Sequence, residues 1–91
     1  MTAPATVPAP TAGAGRPGHL TPRQRQILAY VACGLPDTRI GARIGIQGSS
    51  VKTSLRRAYR TLGARNRAHA VIIALRSRQI TLHDIDQAAH R

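Results

Sequence analysis

A chain of 91 residues is long enough for one small domain but too short to enclose a large interior catalytic pocket. Its 14 Lys and Arg stand against three Asp, and thirteen of these cations lie between Arg16 and Arg78, where Asp37 is the only acid. Such a field attracts polyanions, so nucleic acid or an anionic membrane surface is the expected class of partner.

The chain should begin with a tail and one helix. Residues 1–18 are predicted to be a disordered tail, because Ala, Pro, Thr and Gly with a single charge bury too little apolar surface to offset the ordering entropy. Thr21 and Gln24 have the T-x-x-Q spacing of a capping box, and Pro22 suits the first helical position. Gly34 is expected to end this first helix in the left-handed conformation.

A short second helix follows, with Asp37 as its cap or first-turn acid and with Ile40 and Ile44 on its inner face. Gly41 lies inside it, and a glycine there costs about 1 kcal/mol relative to alanine. Either this helix is marginal or another backbone passes close to Gly41. Residues 45–48 are too few for anything except a tight turn.

The stretch 49–63 has opposite chemistry on its two faces. Its apolar residues recur every three or four positions, which predicts one buried stripe on a helix; they are Val51, Leu55, Ala58, Tyr59 and Leu62. Lys52, Arg56 and Arg60 repeat every four residues on the other face, beside Ser49 and Thr53. This cationic face fits a DNA major groove, although a solvated helix face has the same pattern. A short helix, a tight turn and this amphipathic helix together indicate a helix-turn-helix.

A fourth helix is expected from Asn66, as its cap, to about Arg76. Residues 70–75 make it apolar nearly all round, so the side that faces away from the core needs cover. We expect the same helix of a second copy to supply that cover, in a two-fold dimer. The predicted dimer contacts are Val71, Ile72 and Leu75; the alternative is a helix wholly buried in its own core.

The last twelve residues contain a T-x-x-D pattern, Thr81 with Asp84, which predicts a short fifth helix from Leu82. Asp84 and Asp86 make it the only acidic patch of the chain. It is expected to cover the fourth helix, to contact a neighbour's basic surface, or to fray.

Several classes of protein are excluded by what the sequence lacks. Cys33 is alone and the four His have no ligand spacing, so we expect a cytoplasmic protein with no disulfide, metal or cofactor. Three Asp and no Glu offer no general base, which argues against an enzyme. No apolar run reaches the roughly 20 residues of a membrane span. Without Trp or Phe there is no stacking platform for single strands, so duplex DNA is the favoured nucleic acid.

From Leu20 to about Leu75 the chain resembles the LuxR-type, or GerE-type, helix-turn-helix family of bacterial transcription regulators. The resemblance lies in LTPRQRQIL, in the Gly34–Leu35 pair, in Ile40 and residues 44–46, and above all in VKTSLRRAYRTLGARNRAHAV at 51–71. It implies a four-helix domain that docks its third helix in the major groove and often pairs through its fourth.

The family's base-reading positions fall on Lys52, Thr53 and Arg56. A cationic side chain there can engage guanine, and the methyl group of the threonine can contact thymine. The residues expected to contact phosphate are Ser49 and Ser50 at the helix N-terminus, with Arg57, Arg60, Arg65 and Arg67.

The chain departs from the family pattern at several positions. Gln24 and Arg39 stand where Glu is usual, Pro36 where a capping Ser or Thr is usual, and Gly41 where Ala is usual; Gln47 and Ser54 stand where Ser and His are frequent. The last two prevent an operator preference from being carried over. Family members commonly carry a regulatory domain ahead of this one, and a Pro/Ala-rich tail occupies that place here, so a stand-alone domain is expected.

The sequence thus predicts an all-α protein with a helix-turn-helix domain over 19–78 and a C-terminal extension over 79–91. Its expected function is that of a sequence-specific regulator that binds double-stranded DNA as a homodimer. The alternative is an adaptor of the same fold that binds RNA polymerase or another regulator. Nonspecific chromosome compaction also fits the net charge, although it does not require Lys52, Thr53 and Arg56 to lie together on the third helix.

Overall fold

Five α-helices follow one another in residues 18–90, the part of the chain that the computed structural model describes. They are α1 (Pro22–Ala32), α2 (Asp37–Ile44), α3 (Gly48–Leu62), α4 (Arg67–Arg76) and α5 (Leu82–Ala89). The predicted all-α class and the fifth helix are therefore confirmed. Apart from Gly18, the tail predicted for 1–18 lies outside the described residues. None of the helices within 18–90 is long and apolar enough to cross a membrane.

Three of the helices, α1, α4 and α5, begin at the capping residues that the sequence predicts. In the capping box of α1, the backbone N–H of Gln24 donates to Thr21 Oγ1 at 3.1 Å, and the backbone N–H of Thr21 donates to Gln24 Oε1 at 2.8 Å. Thr81 and Asp84 make the same reciprocal pair at the start of α5. Asn66 Oδ1 accepts an amide of the first turn of α4 at 2.9 Å. These bonds satisfy amides that a helix leaves without internal partners.

The core is organised around α1, which packs against each of the other four helices. Ile27 and Leu28 of α1 are completely buried, as are Ile40 of α2 and Val51 of α3. Because each helix contributes its apolar stripe to this one cluster, the opposite face of α3 is left on the surface.

The turn between α2 and α3 explains the glycine inside α2. A Cβ atom at Gly41 would collide with the carbonyl oxygen of Ile46, and Gly45 has a φ of 80°. Of the two alternatives for Gly41, close approach of another backbone is therefore correct. The tight turn brings the start of α3 directly against α2.

The fifth helix packs chiefly on α1, which corrects the expectation that it covers the fourth helix. Arg78 has a φ of 61°, and the chain leaves α4 through this left-handed residue. Beyond it, Ile80 is almost completely buried and α5 packs on α1, where Ala88 joins the core. The thiol of Cys33 donates to the carbonyl oxygen of Ile85 at 3.3 Å, which links the two helices.

Candidate nucleic-acid interface

The two faces of α3 differ as the spacing predicts. Val51 and Leu55 are buried in the core, whereas Lys52, Thr53 and Arg56 are exposed. These three exposed residues are called the ridge below. Since the apolar stripe fixes the rotation of α3, the ridge cannot turn inward without exposing the stripe.

Hydrogen bonding limits what the middle residue of the ridge can offer. The Thr53 hydroxyl donates to the carbonyl oxygen of Ser49, one turn earlier, at 3.1 Å. Its proton is thus already engaged within the helix. The methyl group and the oxygen lone pairs are what remain for a ligand, together with the cationic groups of Lys52 and Arg56.

The ridge forms one wall of an open groove of about 600 Å³ between α2 and α3. Asp37 and Thr38 line it from α2, and Gln47, Gly48 and Ser49 line it from the end of the turn and the start of α3. Sequence reasoning had not assigned Thr38 or Gln47 to the site. Their place in the groove depends on how α2 crosses α3, which no local pattern encodes.

The residues predicted to contact phosphate are spread around the ridge. Ser49, Ser50 and Arg57 line a second shallow depression on the first turns of α3. Arg60 and Arg65 are exposed farther along. Exposure makes all five accessible to a large anion.

Arg67 differs from the other predicted phosphate ligands, because its guanidinium is already bonded within the protein. Nη1 lies 2.8 Å from Asp37 Oδ1, and Nη2 donates to the carbonyl oxygen of Leu35 at 3.1 Å. The Arg67 side chain is 43 % exposed and that of Asp37 19 %. This contact ties the start of α4 to the start of α2. A direct contact of Arg67 with phosphate stays a prediction.

Tyr59 lies beside this ion pair. Burial raises its pKa above the ordinary value of 10.0; the positive charge of Arg67 acts in the opposite direction and the negative charge of Asp37 adds to the rise. The phenol is therefore uncharged at neutral pH and cannot act as an anionic partner of the nearby cations.

The surface of α4 is partly open. Ala70 and Ala74 are buried and Val71 and Leu75 are half-buried, but Ile72 is 50 % exposed. The alternative in which α4 lies wholly within its own core is therefore wrong. Over the described residues no group of three or more His, Cys, Asp or Glu is placed to hold a metal ion.

Comparison with known proteins adds a family to this geometry. A profile described as GerE, "Bacterial regulatory proteins, luxR family", matches residues 18–74, which contain α1 to α3 and most of α4. No solved structure matches the chain significantly.

Three curated proteins illustrate the similarity. The chain is 41% identical over 59 residues to "Probable transcriptional regulatory protein NarL" of Mycobacterium tuberculosis, covering 65% of this chain and 27% of that protein. It is 44% identical over 54 residues to "Probable transcriptional regulatory protein SgaR" of Hyphomicrobium methylovorum, covering 59% of this chain and 26% of that protein. It is 38% identical over 61 residues to "Transcriptional activator protein BjaR1" of Bradyrhizobium diazoefficiens, covering 67% of this chain and 25% of that protein. The chain thus spans about a quarter of the length of these relatives.

Proposed function

The chain belongs to the luxR family of bacterial regulatory proteins, and from that membership we propose that it is a transcription regulator that binds specific sequences of double-stranded DNA. The relatives named as transcriptional regulators support the regulatory role. It would act in the bacterial cytoplasm, where the chromosome lies.

One observation carries this proposal: Lys52, Thr53 and Arg56 are exposed together on one face of a helix whose other face is held in the core. A major groove about 12 Å wide admits such a helix. We assign the ridge to base edges, with the two cations directed to guanine and the threonine methyl group to thymine.

The surrounding residues would supply most of the affinity. Ser49 and Ser50 lie in the first turn of α3, where hydroxyl and backbone N–H groups suit a phosphate. Arg57, Arg60 and Arg65 are exposed cations near them, and a net charge of +11 favours association with any duplex. Base contacts then decide between sequences.

We further propose that the protein works as a homodimer through α4. Ile72 is 50 % exposed, and Val71 and Leu75 are half-buried beside it on the same helix. Pairing two copies here would present two ridges to two half-sites of an inverted repeat. Each ridge is short, so the dimer is needed for a site of useful length.

Selection from a random pool of double-stranded DNA tests the proposal, with affinity then measured by fluorescence anisotropy at several salt concentrations. We expect a recovered inverted repeat. With about six to ten phosphate contacts per dimer, affinity should fall roughly 10³- to 10⁵-fold between 50 and 200 mM salt. If selected and random duplexes bind equally at every salt concentration, the protein is a nonspecific DNA binder and the proposal is wrong.

The second candidate is an adaptor of the same fold, and the exposed Ile72 also fits that role because a partner regulator or RNA polymerase could cover it. A gel-shift experiment with a pool of genomic fragments separates the two candidates. If no fragment is retained at low salt, the adaptor becomes the better account.

A further inference from the structure

The capping position of α3 holds a residue that does not cap. Gln47 is the N-cap, with extended backbone angles of −75° and 153°, and its side chain makes no capping hydrogen bond. Ser, Thr, Asp or Asn at this position would accept an amide of the first turn. The glutamine therefore contributes nothing to the start of the helix through its side chain.

The amide of Gln47 is also little used elsewhere. Within residues 18–90 its one hydrogen-bond partner is the Ser49 hydroxyl, which donates to Oε1 at 3.5 Å. A bond of that length is weak. Gln47 is exposed, so both N–H groups and the carbonyl oxygen are available to a ligand.

The position of Gln47 is nevertheless well defined. Gly48 follows it, and a Cβ atom there would lie 3.3 Å from Thr38 Cγ2, so the first turn of α3 packs closely against α2. The groove that contains the ridge is lined by Gln47 as well as by Lys52 and Arg56. A duplex that engages the ridge would therefore also meet this amide.

From this placement we propose that Gln47 is a fourth base-reading residue and that it selects adenine at one position of each half-site. A glutamine amide can accept from N6–H of adenine and donate to N7 at the same time, and no other base presents that pair in the major groove. This inference rests on the proposed function, because it needs α3 to lie in the major groove.

Selection from a random duplex pool with the full chain and two variants tests it. Gln47→Ala removes the amide, and Gln47→Glu replaces its donor with an acceptor, which favours the amino group of cytosine. The wild-type site should contain one adenine per half-site. This preference should weaken by roughly 5- to 150-fold in Gln47→Ala and shift toward cytosine in Gln47→Glu, with the bases read by the ridge unchanged.

Gln87→Glu serves as the matched control, since Gln87 is exposed on α5 and the change adds the same negative charge away from the ridge. It should weaken all sequences slightly and alter no base preference. If wild-type protein and both Gln47 variants select the same base at every position, the role of Gln47 is refuted while the proposed function stands. If the wild-type protein selects no sequence at all, both fail.

Discussion

The guanidinium of Arg67 and the carboxylate of Asp37 form an ion pair with an N–O distance of 2.8 Å between the first turns of α4 and α2. The two residues are thirty positions apart, and the second nitrogen of the same guanidinium bonds the Leu35 carbonyl oxygen. The pair therefore fastens α2, one wall of the groove, to the helix proposed as the dimer contact.

We expect Asp37→Asn to lower the free energy of unfolding by about 1 to 2 kcal/mol, because it removes a charged partner of a half-buried guanidinium. A double-mutant cycle with Arg67→Gln should give a coupling energy above about 0.5 kcal/mol in urea denaturation. Arg65→Gln is the control. Arg65 is exposed and only its backbone amide is bonded, to His69 Nδ1, so this change should stay within about 0.5 kcal/mol. If Arg67→Gln and Arg65→Gln lower the free energy of unfolding equally, the Arg67–Asp37 ion pair does not hold α4 against α2.

Arg56 and Arg65 should contribute to DNA binding in different ways. Arg56→Ala is expected to cost about 1 to 3 kcal/mol on the preferred site and to relax one base position, because Arg56 is on the ridge. Arg65→Ala should weaken all duplexes nearly alike and reduce the salt slope by about one. Both effects can be measured by anisotropy on the selected site and on a scrambled duplex.

Arg25→Ala controls for the loss of one charge, since Arg25 is exposed on α1 and borders the groove between α1 and α5. It should change both affinities only through the long-range field. Should Arg56→Ala and Arg65→Ala reduce binding to the selected and scrambled duplexes by the same factor, the division between base and backbone contacts is wrong.

The parts of the fold that could be predicted from sequence are those encoded by near neighbours. The capping pairs Thr21–Gln24 and Thr81–Asp84 join residues three apart, and the stripe of α3 is a repeat within fifteen residues. Such interactions require no knowledge of the tertiary arrangement. The helices and the outward direction of the ridge followed from them.

The features that escaped prediction join distant parts of the chain. The Arg67–Asp37 pair depends on how α4 meets α2, and the place of Gln47 in the groove depends on the α2–α3 crossing. The packing of α5 on α1 depends on the left-handed Arg78, a residue type that gives no turn signal in a sequence. Periodicity and spacing carry no information about these contacts.

Ile80 tests whether the C-terminal extension stabilises the DNA-binding domain. It is 1% exposed, so Ile80→Ala should lower the free energy of unfolding by about 2 to 5 kcal/mol through lost burial and the cavity left behind. Leu82→Ala is the control, because Leu82 is 74% exposed and little burial is lost there. Thermal and urea denaturation measure both variants. If Ile80→Ala and Leu82→Ala have the same free energy of unfolding, α5 and the turn before it fold independently of α1.

Ile72 tests the dimer. Replacing its half-exposed side chain by Asp places a charge in the proposed interface, so Ile72→Asp should be monomeric at concentrations where the wild-type chain is dimeric. Affinity for an inverted repeat should fall at least about tenfold, while affinity for a single half-site should change little, because Ile72 lies on α4 and not on the ridge. Sedimentation velocity and gel shifts on one-site and two-site duplexes measure this.

Leu82→Asp adds the same charge at an exposed apolar residue of α5 and should leave the oligomeric state unchanged. A wild-type chain that stays monomeric on the two-site duplex would rule the dimer out.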